Sequence, residues 1–181
     1  IPLIKKNLIN NQSIIIDSKS GYSGAGRGVH KKYKDKNLYE SLSAYGLANH
    51  RHNSEIQQEL DLKTGKKNKF HFTPHLSPMF RGILSTFYLE LKKGVSIKRI
   101  HEILKKFYKK DFFVKILKLN SLISTNEVIN TNNCFISICK TKNKKKIIVL
   151  SAIDNLIKGG AGQAIQNMNI KYGFDLNEGL K

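Results

Sequence analysis

The chain has 181 residues, of which 40% are hydrophobic, so it can bury a substantial core as a single domain. It has no run of the roughly 18 apolar residues that a membrane helix needs, and we expect no membrane partner. Its formal net charge of +19 is typical of proteins that bind polyanions, but 28 of its 32 basic residues are scattered lysines. We therefore interpret the charge as compositional, and nucleic-acid binding is the less favoured hypothesis.

The N-terminal half of the chain contains both strand and helix signals. Asn53 is a residue type that begins helices well, Glu55 suits the positive end of the helix dipole, and Gly65 is a typical helix end. Beyond that helix, the alternating pattern of a strand stops at Thr73, where a loop with two prolines begins. The predicted elements are a buried strand over 13–17, a glycine-rich loop over 19–28, a helical turn over 37–43, a helix from 53 to 65, and a strand followed by an irregular loop over 69–82.

The C-terminal half predicts a long strand, a capped helix and three further strands. Ser96 is placed to cap a helix whose apolar residues recur at helical spacing as far as Tyr108, and His101 lies close to that apolar side as a structural residue. A last helix is predicted to begin near Leu156. The predicted strands cover 83–91, 112–119, 133–140 and 146–153. Since strands outnumber helices, we expect an α+β fold: a mixed, largely antiparallel sheet with helices on one face.

The two cysteines, Cys134 and Cys139, lie in one apolar segment. Residues five apart on a strand point to opposite faces, so a disulfide between them is not expected. We interpret them as buried free thiols in a reducing compartment.

The glycine-rich loop from Ser20 to Gly28 holds four glycines and one arginine, Arg27. Glycines let backbone amides approach an anion, and an arginine adds a charge-assisted hydrogen bond. The loop lacks both the lysine-serine ending of a P-loop and the strand–GxGxxG–helix arrangement of a dinucleotide site. A flexible turn and a phosphate or cofactor contact therefore both remain open.

The segment His50-Arg51-His52 places two of the chain's six histidines around an arginine. A zinc site can be drawn with His71 and His75, but no nearby cysteine pair or HExxH helix supports it, and we expect no metal. An imidazole titrates near neutral pH, and beside an arginine it suits acid–base chemistry on an anionic substrate. Histidines that only hydrogen-bond to loop backbone are the structural alternative.

The segment from Asp154 to Gln163 lies where a buried strand passes into the last helix. Strand ends present side chains to ligands on rigid backbone, and small residues there permit close approach. The Asn155 side chain offers both a donor and an acceptor, which suits an amide ligand. A tight strand–helix junction that simply needs small residues is the alternative.

Four segments together resemble the N-acetyl-γ-glutamyl-phosphate reductase family: SGYSGAGR at 20–27, AYGLANHRHNSEI at 44–56, FTPHLSPMFRGIL at 72–84 and IDNLIKGGAGQAIQNMNIKYGFDLNEGL at 153–180. They occur in the family's order and span nearly the whole chain. The resemblance implies a cytoplasmic enzyme of arginine biosynthesis that uses NADPH to reduce an acyl phosphate to an aldehyde through a cysteine thioester. It also implies a catalytic domain like that of glyceraldehyde-phosphate dehydrogenase, and a homo-oligomer, either dimer or tetramer.

The resemblance implies roles for individual residues as well. His52 is the expected acid–base group with His50 beside it, and the same segment supplies Arg51 and Glu55 as substrate contacts. Asn155 is expected to hold the nicotinamide amide of NADP. The remaining implied contacts are His75 and Arg81 for the substrate, and Ser23, Gly24, Ala25, Gly26 and Arg27 for the cofactor.

This chain departs from the family pattern chiefly at its start. The family's nucleophilic cysteine and its N-terminal Rossmann half both precede the strand matched here at 14–17. We therefore expect residues 1–181 to be the catalytic and dimerisation domain, inactive as a fragment, with 155–181 returning to the cofactor-binding half. Neither Cys134 nor Cys139 matches a catalytic position. Two smaller departures are Asn53-Ser54 in place of Thr-Pro and Gly159-Gly160-Ala161 in place of Gly-Ala-Ala.

Two other functions remain open. A reductase that acts on a carrier-bound aminoadipyl phosphate in lysine biosynthesis would use the same chemistry with a different side-chain pocket. A basic, non-catalytic remnant that binds nucleic acid is the alternative from another class, suggested by the net charge of +19. Binding to random DNA with a steep salt dependence would favour that alternative.

Overall fold

The computed structural model of the chain describes residues 1–25 and 40–181. Its helices are α1 (Pro2–Lys5), α2 (Arg51–Thr64), α3 (Ile97–Phe107) and α4 (Gly162–Tyr172). Its strands are β1 (Ile14–Gly21), β2 (Ser43–Ala44), β3 (Phe70–Ser77), β4 (Ile83–Glu90), β5 (Val114–Ile116), β6 (Cys134–Lys140) and β7 (Lys146–Ile153). None of these four helices is long or apolar enough to cross a membrane.

The seven strands of the described residues join one sheet in the order β2-β3-β1-β4-β7-β6-β5. β1 runs parallel to β3 and β5 runs parallel to β6, while the other four neighbouring pairs are antiparallel. The β4–β7 pair forms the middle of the sheet and extends from Ile83 opposite Ile153 to Glu90 opposite Lys146. This topology confirms the predicted α+β fold with a mixed, largely antiparallel sheet.

Helices α1, α2 and α3 pack on one face of this sheet, as the sequence predicted. The apolar side of α3 faces the core, where Ile100 is completely buried. Ser96 begins this helix by accepting a hydrogen bond from the Arg99 N–H, which confirms the predicted cap. His101 donates through Nε2 to the Leu117 carbonyl oxygen at 2.8 Å, so this histidine is structural, as expected.

The opposite face of the sheet carries only a smaller apolar cluster within the described residues. Ala152 and Val128 are completely buried in this cluster, which the segment over 117–131 helps to cover. Over β1 and β4 the described residues leave this face uncovered, and Ile15 and Tyr88, which lie directly opposite each other in register, are 43% and 42% exposed. We call this uncovered surface around Ile15 and Tyr88 the open face.

Strand β3 is longer than predicted, because it continues through Pro74 to Ser77. The prediction of an irregular loop after Thr73 was therefore wrong. The Pro74 carbonyl accepts a hydrogen bond from the Tyr45 N–H, just beyond the two-residue strand β2. The nitrogen and the carbonyl of one strand residue point to the same side of the strand, so the Pro74 nitrogen, which has no hydrogen to donate, also points towards the β2 side. Because β2 has already ended there, no ladder hydrogen bond is lost, and the pairing of β3 with β1 stays intact. β1 is also longer than predicted and reaches Gly21.

Helix α2 begins earlier than predicted, at Arg51 with His50 as its N-cap. The prediction of Asn53 as the cap was wrong, because the Asn53 side chain donates instead to the Ala48 carbonyl oxygen at 2.9 Å. This bond ties the preceding loop to the first turn of the helix. At the other end Gly65 has a φ of +64° and closes the helix in the left-handed conformation, which confirms the predicted end.

The remaining boundaries agree with the sequence except at two places. β4, β6 and β7 lie within the predicted strands over 83–91, 133–140 and 146–153. β5 is reduced to three residues because it is an edge strand that pairs only with β6. The described part of the predicted helical turn over 37–43 is not helical, and residues 37–39 lie outside the described residues. The last helix begins, as predicted, just after Leu156, with a π-helical turn (Ile157–Ala161) that leads into α4.

Gly82, immediately before β4, is a position where an added methyl group should be costly. Gly82 has a φ of +107°, and a Cβ built there would lie 2.7 Å from the Thr125 Cβ. Gly82→Ala combines backbone strain with a clash, so it should lower the free energy of unfolding by about 3 kcal/mol. Gly65→Ala is the matched control: it has a positive φ but no atom within 4 Å of the added group, and it should cost about 1 kcal/mol. Urea titration measures both variants, and equal losses would contradict a clash at Gly82.

Candidate active site

A cavity of about 1000 Å³ opens on the helix-covered face of the sheet. Strands β1, β4 and β7 form its floor, and α1 and the start of α2 contribute to its walls. It is lined both by His50, Arg51 and His52 and, from the end of β7, by Asn155 and Gly159. The fold therefore brings together two segments that the sequence singled out and that lie far apart in the chain.

The floor of the cavity is polar along one row of the sheet. Ser18, Ser85 and Ser151 are neighbours in register across β1, β4 and β7, and the Ser18 and Ser85 hydroxyl oxygens lie 2.7 Å apart. The next row, with Ile16 and Phe87, is apolar and belongs to the main core. A row of hydroxyls beside apolar rows suits a ligand that has both polar and apolar parts.

His50 and His52 lie against each other at the N-terminus of α2. Their ring centroids are 4.8 Å apart in an edge-to-face arrangement. His50 Nδ1 accepts a hydrogen bond from the backbone N–H of His52 at 3.2 Å. The structural alternative raised by the sequence, a histidine bonded to nearby backbone, thus describes His50. His52 is exposed and lines the cavity.

The surroundings of His50 lower the pKa of its imidazole. Burial is the largest cause, and the neighbouring His52 and Arg51 add electrostatic repulsion of the protonated form, while Glu55 acts in the opposite direction. A neutral ring is also what the N-cap hydrogen bond requires, because Nδ1 can accept only while it carries a lone pair. The hydrogen-bond geometry and the electrostatics therefore both favour the neutral form of His50.

Asn155 follows β7, and both the oxygen and the nitrogen of its carboxamide make hydrogen bonds. Its Oδ1 accepts a hydrogen bond from the Gly82 N–H at 2.6 Å, and its Nδ2 donates to the Ser23 hydroxyl at 2.9 Å. Gly24 approaches closely, since a Cβ built there would lie 3.3 Å from Asn155 Nδ2. The amide nitrogen has a second hydrogen that can still be donated to a ligand. The structure thus brings Ser23, Gly24 and Asn155 together.

Asp154 fixes the backbone at the end of β7, and the sequence analysis missed it. Its carboxylate is completely buried. Oδ1 accepts from the N–H groups of Leu156 and Ile157 at 2.8 and 3.0 Å, and Oδ2 accepts from the Asn130 N–H at 2.7 Å. An aspartate two residues before a helix is a recognisable capping signal, whereas its bond to Asn130 depends on the tertiary structure. Oδ2 also lies 3.5 Å from Arg81 Nη1.

His75 and Arg81, the two other predicted substrate contacts, do not line this cavity. His75 extends from the opposite side of the sheet, where its Nδ1 lies 3.1 Å from Asp17 Oδ1. Arg81 directs its guanidinium to Asp154 and to the side chain of Asn130. The fold therefore does not bring these two residues together with the histidine pair, and their contact with substrate stays a prediction.

The glycine-rich loop is described only in its first part. Ser23 and Gly24 lie in a short 3₁₀ helix, Tyr22–Ala25, that directly follows β1. Gly26 and Arg27, which the resemblance assigns to the cofactor, lie outside the described residues.

The cysteines show no sign of a nucleophile. Cys134 and Cys139 are free and lie on opposite faces of β6, as predicted, but each is half-buried instead of buried. Burial raises the pKa of the Cys134 thiol, although its hydrogen bond with Ser151 and the charge of Lys158 act against this. A raised pKa disfavours the reactive thiolate.

Within residues 1–25 and 40–181 no three His, Cys, Asp or Glu side chains are grouped so that they could hold a metal ion.

Several curated N-acetyl-gamma-glutamyl-phosphate reductases are similar to this chain over nearly its whole length. The chain is 46% identical over 180 residues to that of Thermoanaerobacter sp. (strain X514) and 47% identical over 180 residues to that of Clostridium kluyveri (strain NBRC 12016). It is 42% identical over 180 residues to that of Staphylococcus aureus (strain MRSA252). Each alignment covers 99% of this chain and 52% of the relative, so the chain spans about half the length of the curated relatives it matches.

Solved structures of aspartate semialdehyde dehydrogenases have the same fold. The enzyme from Francisella tularensis superposes with a TM-score of 0.69 at 15% identity, covering 94% of this chain and 60% of that one. Aspartate semialdehyde dehydrogenase II from Vibrio cholerae superposes with a TM-score of 0.68 at 11% identity, covering 93% of this chain and 59% of that one. At these identities the likeness concerns the fold alone.

The family match agrees with this fold. Residues 1–155 match the family model described as semialdehyde dehydrogenase, dimerisation domain, and the matched region ends at Asn155 beside the cavity. The chain therefore belongs to the semialdehyde dehydrogenase family, as its dimerisation domain.

Proposed function

We propose that the protein containing these residues catalyses the NADPH-dependent reduction of N-acetyl-γ-glutamyl phosphate to N-acetylglutamate 5-semialdehyde in arginine biosynthesis, in the cytoplasm. The observation that supports this proposal most is that Arg51, His52 and Asn155 line the same cavity. An anion-binding group, a proton-transfer group and an amide-binding group thus face the same space. The similarity to reductases of this name in three bacteria supports the choice of substrate.

His52 is proposed as the acid–base group of this reaction. A thiolate displaces phosphate from the acyl group, hydride then adds to the resulting thioester, and collapse of the adduct releases the aldehyde and the thiolate. The His52 imidazole would take the proton from the thiol before attack, give it to the oxygen that becomes anionic on hydride addition, and take it back from that oxygen as the C–S bond breaks and the aldehyde forms. Since neither Cys134 nor Cys139 lines the cavity, and burial raises the pKa of Cys134, we propose that the thiol comes from outside residues 1–181.

Arg51 and the start of α2 are proposed to bind the phosphoryl group. Arg51 is the first residue of α2 and lines the cavity. The positive end of a helix dipole and a guanidinium both favour an anion at this place. Glu55, one turn further along α2, favours the protonated form of His50, because its charge raises the pKa of His50 against the other causes.

Asn155 and the 3₁₀ turn are proposed to hold the nicotinamide end of NADPH, which supplies the hydride when bound. The residues fit that group because the Asn155 carboxamide is fixed between Ser23 and Gly82 and keeps one hydrogen to donate. A fixed donor can orient the nicotinamide amide without a cost in side-chain entropy at binding. Gly24 leaves the space that such a contact needs, since a side chain there would meet Asn155.

Residues 155–181 are proposed to return to the cofactor-binding half of the protein. Four large apolar side chains on and just after α4 are each about half exposed or more: Met168, Ile170, Tyr172 and Phe174. Several exposed large apolar side chains in one short segment are typical of a surface that another part of a protein covers. The helix follows directly from the site through Asn155 and the π-helical turn, so a domain packed on α4 would lie beside the cavity.

The open face is proposed as the surface through which two copies of the chain associate. Its centre carries Ile15 and Tyr88, both about two-fifths exposed although they lie on central strands. The name of the matching family model, a dimerisation domain, supports assembly as a homo-oligomer. A two-fold interface uses the same surface patch on both subunits, so one apolar patch serves both partners.

His52→Gln in the intact gene product should lower kcat by a factor of about 10² to 10⁴, because glutamine cannot transfer the proton. The measurement is phosphate-dependent reduction of NADP with N-acetylglutamate semialdehyde. Glu59→Gln is the control, since Glu59 is exposed on α2 and does not line the cavity. Full activity of the His52 variant would contradict the assignment.

The 181-residue chain by itself is expected to show no turnover in the same assay, since it supplies no activated thiol. The intact gene product assayed beside it is the control. Turnover by residues 1–181 alone would show that the nucleophile lies within them.

Tyr88→Lys is expected to raise the dimer dissociation constant by about a hundredfold or more, since the interface would then bury an unpaired charge from each copy. Leu62→Lys is the control, because Leu62 is 70% exposed on α2, which packs on the other face of the sheet. Sedimentation equilibrium of the chain measures both. An unchanged dissociation constant for Tyr88→Lys would exclude the open face as the interface.

A further inference from the structure

We infer that His50 is a positioning residue: its neutral imidazole caps helix α2 through Nδ1 and holds His52, which alone transfers the proton. The inference deepens the proposed function and rests on it for the identity of the reaction. It gives separate roles to two histidines that lie two residues apart.

The first support is the use of His50 Nδ1 in the backbone of α2. That atom accepts the N–H of His52 at 3.2 Å, and the His50 carbonyl accepts the N–H of Asn53 at 2.8 Å. The first N–H groups of a helix have no partner within the helix, so His50 satisfies two of them. A nitrogen that holds this hydrogen bond cannot take up a proton without breaking it.

The second support is the packing of the His50 ring. Its centroid lies 5.4 Å from the rings of both Tyr45 and Phe72 and 4.8 Å from the ring of His52. Gly46 closes a further side, because a Cβ built there would lie 3.1 Å from His50 Cδ2. Histidine is not among the residues that cap helices best. Its ring contacts explain why a histidine would serve here, since asparagine could make the hydrogen bond but could not pack against the ring of His52.

The third support is electrostatic. The charged and titratable groups that face His50 are Arg51, His52, Glu55 and the Tyr45 phenol. Burial, His52 and Arg51 lower the pKa of His50, with Glu55 opposing them. The folded pKa is therefore below that of an exposed histidine. The capped state is complete above the ordinary pKa near 6.5 and is lost only as the pH falls through the lower folded value.

The environment of the His52 ring differs from that of the His50 ring in exposure and in hydrogen bonding. It is exposed, lines the cavity, and neither of its ring nitrogens has a hydrogen-bond partner among residues 1–25 and 40–181. Its backbone is fixed by the cap, and its ring is limited on one side by the edge of His50. A free imidazole on a fixed main chain is what a proton-transfer group requires.

The test compares three variants of the intact gene product, from about pH 5 to about pH 9, by kcat/KM for semialdehyde oxidation. His50→Asn keeps an acceptor for the cap but cannot transfer a proton, and it should retain activity within about threefold, with the pH profile of the wild type. His50→Ala removes the acceptor and should lose activity about tenfold or more. His52→Gln should lose a factor of about 10² or more.

A second readout keeps the test independent of turnover. In the 181-residue chain, long-range ¹H–¹⁵N spectra should show His50 neutral, with its proton on Nε2. Exchange of the His52 amide hydrogen should be about fivefold faster in His50→Ala than in His50→Asn.

Different results would overturn the inference and the proposed function. Equal losses of about a hundredfold in His50→Asn and His50→Ala, with His52→Gln still active, would assign the proton transfer to His50 and overturn the inference. A His50 proton on Nδ1, or equal amide exchange in the two His50 variants, would also overturn it. No turnover by the wild-type protein, with the spectra as expected, would contradict the proposed reaction while supporting the cap.

Discussion

The buried carboxylate of Asp154 is the constraint on which the functional end of the sheet depends. A carboxylate without exposure to water is costly unless each oxygen has partners. Here three backbone N–H groups and the Arg81 guanidinium provide them. These partners come from the turn after β7, from the loop at Asn130 and from the start of β4. Because all three segments bind the same carboxylate, they are fixed relative to each other. The position of Asn155, the next residue, is fixed as a consequence.

The two sides of the cavity are positioned by the same kind of device. At one side the Asp154 carboxylate holds backbone N–H groups, and at the other side the His50 ring holds the N–H of His52. In both places a buried or half-buried side chain fixes the backbone, and the next residues face the cavity. The groups that we propose to act on ligands therefore stand on backbone that is already ordered. Such preorganisation lowers the cost of ordering when a ligand binds.

The sequence predicted those parts of the structure that depend on local chemistry. The Ser96 cap, the end of α2 at Gly65 and the strands β4, β6 and β7 each follow from neighbouring residues, and the structure confirms them. The continuation of β3 through Pro74 could not be predicted locally, because it depends on how short the neighbouring strand β2 is.

The sequence predicted which residues form the candidate site but not which bonds hold them in place. The sequence singled out the histidine segment and Asn155, and the resemblance placed both in one enzyme. It could not show that Asn155 is held by Ser23 and Gly82, since those bonds join segments remote in the chain. The His50 cap is a local bond, but histidine is not among the residues that cap helices best, so the sequence favoured Asn53 instead.

The parallel pairing of β1 with β3 has a further consequence, which concerns folding. All of residues 22–69, including α2 and its histidines, lie in the crossover between these strands. Such a loop must close before its non-local contacts form, and this slows folding. We therefore expect a newly made chain to form its helices and hairpins first, and to become able to bind ligand only when this crossover has closed.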